Sequence, residues 1–133
     1  SNIIKYRRKV LTAAVTTNTA ISDLGFSSLE VGKIYEISGT VAFDSDGTDG
    51  EFKVQIKNGV TILGEVVFNA DLSGNSQRVS AGFSIPFTAS DTSLTLESTG
   101  LVAGHSIVVP AADGKHYSVL TEKNREQDKA QWG

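Results

Sequence analysis

Apolar residues along this chain recur mostly at every second position, the period of a β-strand with one buried face. In K-I-Y-E-I-S-G-T-V-A-F, Tyr35, Ile37, Val41 and Phe43 share a face with Gly39, and Glu36, Ser38 and Thr40 take the other. E-F-K-V-Q-I-K repeats the alternation, with Phe52, Val54 and Ile56 inward and Glu51, Lys53, Gln55 and Lys57 outward. Asn58-Gly59 follows, a pair that tolerates positive φ at both centres of a type I′ turn, so a tight hairpin is expected there. The return strand, V-T-I-L-G-E-V-V-F, is apolar on both faces, which leaves Leu63 and Val67 pointing outward and in need of a covering element or a second chain.

Val79, Ala81, Phe83, Ile85 and Phe87 again fall at every second position. Pro86 lies among them and has no N–H to donate, which places this strand at a sheet edge or at a bulge. Leu94 and Leu96, then H-S-I-V-V, then K-H-Y-S-V-L-T with Tyr117 and Val119 on the core side, make the later strands; R-R-K-V-L-T-A-A-V-T makes an early one. Eight strand candidates result. Between the first and second, T-N-T-A-I-S-D-L-G-F-S-S-L-E-V-G reads as a long connection with one helical turn around Ser22 to Leu24, laying Leu24, Phe26 and Leu29 over an open end of the core. Short strands, uneven loops and no helix to cover a sheet face predict an all-β fold: a jelly-roll-like, two-sheet antiparallel sandwich of about eight strands. The 133 residues suit a single β-sandwich domain, with a charged C-terminal tail from about residue 122 whose only large apolar residue is Trp132. A chain that begins Ser-Asn without methionine is expected to be a fragment of a longer one.

Charge removes one class of partner. The formal net charge is -3, which gives nucleic acid no general attraction, and the short basic run Lys5 to Lys9 suits a solvated patch or a protein contact. No apolar run approaches a membrane span, so membrane insertion is not expected. Cysteine is absent, which excludes disulfides, thiol nucleophiles and Cys-ligated metals.

The most chemical stretch is D-S-D-G-T-D-G-E, with Asp44, Asp46, Asp49 and Glu51 at relative positions 1, 3, 6 and 8. An EF-hand needs Gly at 6 and Glu at 12, so that reading fails. Two readings remain: an irregular calcium site, or a hydrated turn rich in Asp and Gly, and we favour the turn. His105 and His116 lie 11 residues apart, a spacing of no metal signature; zinc would need a third ligand, for which Asp113 is the nearest candidate. No G-x-S-x-G elbow is present, and Ser106 and Ser118 neighbour a histidine only in sequence. No catalytic, cofactor-binding or metal residue is therefore assigned, no cofactor is expected, and the chain is read as not an enzyme. Among aromatic residues with a polar edge, Tyr35 and Tyr117 fall on the core side, while Tyr6 and Trp132 near the termini suit a subunit or glycan contact.

The phrases L-x-V-G-K-I-Y-E-I-S-G-T-V-A-F from Leu29, K-N-G-V-T-I-L, F-S-I-P-F-T-A-S-D-T-S-L-T-L-E-S from Phe83 and D-G-K-H-Y-S-V-L-T-E resemble the small β-sandwich domains at the distal or C-terminal end of bacteriophage tail fibres and tailspikes. The resemblance covers about Leu29 to Glu122. It implies a jelly roll of the C1q and TNF kind that packs as a homotrimer on the virion, trimerises the fibre and binds a bacterial surface polysaccharide. It brings no catalytic residue with it. The alternatives are a carbohydrate-binding module attached to an enzyme, and a capsid or decoration assembly protein.

Overall fold

The structure is a computed structural model, and it describes residues 5–109 and 117–123, with only the backbone of Lys5, Tyr117 and Lys123. Eight strands form among the described residues: β1 (Lys5–Val10), β2 (Ile34–Ser45), β3 (Gly50–Asn58), β4 (Thr61–Ala70), β5 (Gln77–Thr88), β6 (Leu94–Thr99), β7 (His105–Val108) and β8 (Tyr117–Lys123). All pairings are antiparallel. The first sheet runs β1-β8-β2-β5, with β7 and β8 end to end along one side of β2; the second runs β4-β3-β6. The expected all-β, two-sheet antiparallel sandwich of about eight strands is the observed one.

The connection between β1 and β2 does more than cover the core. Ile21 N–H donates to Leu96 at 2.7 Å, Phe26 and Leu94 exchange backbone bonds at 2.8 Å each, and Ser98 N–H donates to Thr19 at 2.9 Å. Residues 19–26 thus act as an incomplete fourth strand beside β6, interrupted by the 3-10 turn at Ser22–Leu24. With it the chain passes between the sheets in jelly-roll order. Leu24, Phe26 and Leu29 are buried there and close the β1–β6 side of the sandwich.

Strand parity sets the core. Tyr35, Ile37, Val41 and Phe43 of β2 meet Phe52, Val54 and Ile56 of β3, all buried, and full burial of each such side chain contributes about 1.5–3 kcal/mol. Phe52 packs edge-on to Phe43 and Phe68 at centroid distances of 5.5 and 5.3 Å, which fixes one end of the core. At the other end Tyr35 stacks on Phe87, and its hydroxyl accepts the Glu30 N–H at 2.9 Å.

The structure corrects four expectations from the pattern. The hairpin turn is centred on Gly59-Val60, with Asn58 paired to Thr61 inside the strands. Gly59 has φ 61° and Val60 is not among the positive-φ residues, the sign pattern of type II′ rather than I′. The reason is that Asn58 is held inward by its side chain. Second, the β3–β4 register slips between Ile56 and Lys57, so the extra residue, Leu63, turns toward the core and is half-buried there; Ile62 and Val67 are the exposed apolar residues of β4. Third, Ser118 and Leu120 occupy the core positions of β8, and Val119 lies on the other face, half-buried. Fourth, the first strand spans Lys5–Val10, and the apolar run after it leaves the sheet, touching it again only where Val15 bridges Ile107. Pro86 does sit on an edge strand, β5.

Candidate functional site

The acidic stretch lies at one pole of the sandwich, where β2 turns into β3, and each of its three aspartates is engaged by a neighbouring group. Asp44 pairs with Arg78 at 3.3 Å across the β2–β5 ladder. Asp46 Oδ1 accepts from the Thr48 amide at 3.1 Å and its hydroxyl at 2.7 Å, bonds that, with His105 nearby, hold its carboxyl below the usual range. Asp49 Oδ1 accepts the Leu72 N–H at 2.7 Å, tying the turn to the loop before β5. Glu51 is exposed on β3. The three aspartates organise three different segments, and among the described residues no three His, Cys, Asp or Glu side chains converge as a metal would require.

The pole is locked from beneath by a histidine that the spacing argument treated only as a ligand. His105 is buried, stacks on Phe52 at 4.3 Å, and sits opposite Ser45 in the β2–β7 ladder. Its Nε2 lies 2.8 Å from the Thr48 carbonyl, so this nitrogen carries the proton and Nδ1 accepts the Val102 N–H at 3.4 Å. Ser45 Oγ donates to the same carbonyl at 2.8 Å. Serine and histidine here serve one backbone oxygen; neither activates the other. Gly104 has φ 96°, and a Cβ on it would collide with Asp46 Oδ1 and Thr48 Oγ1, so the turn before β7 fits closely under the acidic turn.

His116, Asp113 and Trp132 lie outside the described residues, as does the side chain of Tyr117. Ser118 is buried and donates to the Leu24 carbonyl at 3.2 Å, anchoring the 3-10 turn to β8, and Ser106 lies opposite Asp44 in the β2–β7 register. Tyr35 is a core residue. Tyr6 projects from β1 and is 68% exposed. Of the basic run, Arg7 reaches the Ser27 and Ser28 carbonyls and closes the β1 side.

The opposite side of the sandwich is closed only in part, β4 meeting β5 where Gly64 lies against Ile85. Where β4 and β5 end their sheets, the core-facing residues Leu63, Val79, Ala81, Phe83 and Ile85 are only half-buried. Each of these two edge strands carries a single charge, Glu65 on β4 and Arg78 on β5, and both are spent in ion pairs, Glu65 with Lys53 at 3.0 Å and Arg78 with Asp44. The outer face of the second sheet, by contrast, is a hydrated ladder in which Lys57 also pairs with Glu97 and Gln55 with Glu65.

No family model matches the chain, and no curated protein matches its sequence. Solved structures do match its fold. Eiger TNF from S. frugiperda aligns over 72% of this chain at 14% identity and a TM-score of 0.50, and the alignment spans 62% of that protein's length. It is similar in fold to Eiger TNF. A protein described among Bacillus endospore appendages, a family of disulfide-linked pili, aligns over 92% of this chain and 90% of its own at 13% identity and a TM-score of 0.51. The C-terminal CBM6 of LamC, a marine laminarinase from Zobellia galactanivorans, aligns over 88% and 99% at 14% identity; with a TM-score of 0.40, that likeness bears no argument. At these identities the likeness extends to the fold and stops there. The chain is a β-sandwich domain of a type that proteins of unrelated function share.

Proposed function

We propose that the chain is a non-catalytic assembly and attachment domain: it packs as a homotrimer, ends a viral tail fibre or tailspike, and holds a bacterial surface polysaccharide. The observation that carries this reading is the partly open β4–β5 side. An edge strand in a soluble monomer is normally guarded by free charge, and here Phe83, Ile85 and Leu63 stand half-covered behind two edges whose only charges are already paired. Pro86 and the Leu63 bulge oppose strand addition, so the contact is made by side chains seated against a second copy. Depletion of charge around an aromatic and aliphatic centre is the composition of an interface core. Without cysteine, the linkage is noncovalent, unlike that of the pili similar to it in fold. Three weak glycan sites on one rigid appendage then bind by raised effective concentration.

Light scattering tests the assembly. A mass near three times 14.1 kDa at micromolar concentration is expected, and Ala81→Arg, which puts a charge in the row of half-buried residues, should dissociate it while leaving the far-ultraviolet spectrum of a β-sandwich. A monomeric wild-type chain would refute the trimer. The second reading, a carbohydrate-binding module attached to an enzyme, is favoured by one observation, a pair of hydroxyl-lined grooves on the side away from the open edge. It predicts a monomer that binds glycan. The same sandwich used for capsid or decoration assembly predicts association without glycan binding.

A further inference from the structure

Two cavities of about 300 and about 320 Å³ adjoin on the β1–β6 side and share Ala20, Ile21 and Ser22 as the ridge between them. The hydroxyls of Thr16, Thr17 and Thr19 rim the first over a floor that includes Leu11 and Ile21, and Asp23 stands at its margin. Lys9, Ser27 and Thr95 rim the second over Phe26 and Leu94. The floor residues are buried and belong to the core, so the grooves are a fixed feature of the incomplete fourth strand. Asp23 accepts both the N–H and the hydroxyl of Thr12 on Oδ2, which leaves Oδ1 its accepting capacity. Those bonds also hold its carboxyl below the ordinary range, so it is an anion at neutral pH.

We infer that the paired grooves are a saccharide-binding site, taking one sugar unit on each side of the Ala20–Ser22 ridge. A pyranose offers apolar C–H faces and a rim of hydroxyls, each both donor and acceptor, and the grooves offer the complement: the exposed methyls of Ala13, Ala14 and Ala20 above a buried floor, serine and threonine rims, one fixed carboxylate and one ammonium. The charges are one of each sign, which gives neither a phosphate backbone nor a strongly charged peptide a net attraction. An added peptide strand would find little ladder to extend, because the 3-10 turn at Ser22–Leu24 interrupts residues 19–26. Each groove stands at the lower end of the size range of small-molecule sites, roughly 300–1,000 Å³. Their place opposite the β4–β5 edge leaves them open when that edge is covered by another copy. The inference rests on the attachment half of the proposed function and is independent of the trimer.

The probe is a microarray of bacterial lipopolysaccharides and capsular polysaccharides, followed by calorimetric titration of the strongest hit into the full chain. Lys9→Ala removes the ammonium, and Ala20→Leu fills the ridge from an exposed position; each should weaken binding by about tenfold or more, whereas Lys53→Ala, on the outer face of β3 and outside both grooves, should leave it unchanged. Absence of any saccharide binding by the wild-type chain would overturn the site, as would binding by both groove variants at wild-type strength. Light scattering on the same samples reads the assembly separately: groove-dependent binding by a monomer refutes the trimer and keeps the site.

Discussion

Replacing Asn58 by alanine should cost this domain a large share of its stability. The side chain is buried at the end of β3 and makes four hydrogen bonds to the 90–93 turn: Nδ2 donates to the carbonyls of Asp91 at 3.1 Å and Ser93 at 2.8 Å, while Oδ1 accepts from the Ser90 amide at 2.7 Å and hydroxyl at 3.2 Å. Alanine would remove all four, but the consequences differ by partner. Ser93 keeps the Gly59 N–H at 3.0 Å, and the Ser90 hydroxyl can rotate to solvent. The Ser90 amide and the Asp91 carbonyl lose the partner that Asn58 supplies; both residues are exposed but these bonds are part-buried, so each loss costs up to about 1–3 kcal/mol where water does not take the place of the amide. The expected loss is therefore about 3 kcal/mol, a fall in Tm of roughly 10 °C for a chain of this length. Urea titrations at one fixed protein concentration, with m-values compared, measure it, because self-association would otherwise shift the midpoint. A loss below about 1 kcal/mol with an unchanged m-value would show that water or a relaxed turn replaces the amide, and would refute the reading of Asn58 as the anchor of this pole.

Acid should weaken the fold through carboxylates that are hydrogen-bonded in the native state. Asp23, Asp46 and Asp91 are lowered from an ordinary 3.8 and Glu65 from 4.5, so their contributions are present above those values and are lost as pH falls through the lower native ones. Urea midpoints should accordingly be flat from pH 7 to about 5 and fall toward pH 3, with Asp46→Asn flattening the slope; equal slopes in the two proteins would remove Asp46 from the account. Lys33, raised by Glu122 and Glu30, works in the opposite direction: its contribution is complete below 10.5 and disappears as pH rises through the higher native value. Gly104→Ala should destabilise by about 1–3 kcal/mol, because a side chain there meets both a positive φ and the Asp46–Thr48 turn, whereas Gly82→Ala, whose nearest neighbour would be the Gly39 carbonyl at 3.6 Å, should be tolerated. Thermal melts of the two variants giving equal losses would refute the close packing of that turn.

What was legible from the sequence, and what was not, divides along the same line. Period-2 alternation places Tyr35 to Phe43 and Phe52 to Ile56 in the core because a half-buried strand leaves one face to water along its whole length. Continued one step further, the same parity reaches polar residues: Ser45 follows Val41 and Phe43, Asn58 follows Val54 and Ile56, Ser98 follows Leu94 and Leu96, His105 precedes Ile107, and Ser118 precedes Leu120. All five are buried, and each bonds to the backbone of a neighbouring turn or loop: Ser45 and His105 to Thr48, Asn58 to Ser90, Asp91 and Ser93, Ser98 to Thr17 and Thr19, Ser118 to Leu24. A strand end at the core margin meets chain that has left the ladder, whose N–H and C=O groups need partners the sheet no longer supplies. A polar side chain in the inward phase supplies them. That signal is present in the sequence, but turn propensity makes Asn58 a turn residue and metal spacing makes His105 an isolated ligand candidate, because both ignore which face a residue occupies. The partly open β4–β5 side was hidden for a different reason. Phe83 and Ile85 show correct inward parity, and only the assembled sheets reveal that β4 covers them in part, with Gly64 set against Ile85; the pattern along one strand says which face is apolar, and the neighbouring sheet decides how far that face is filled.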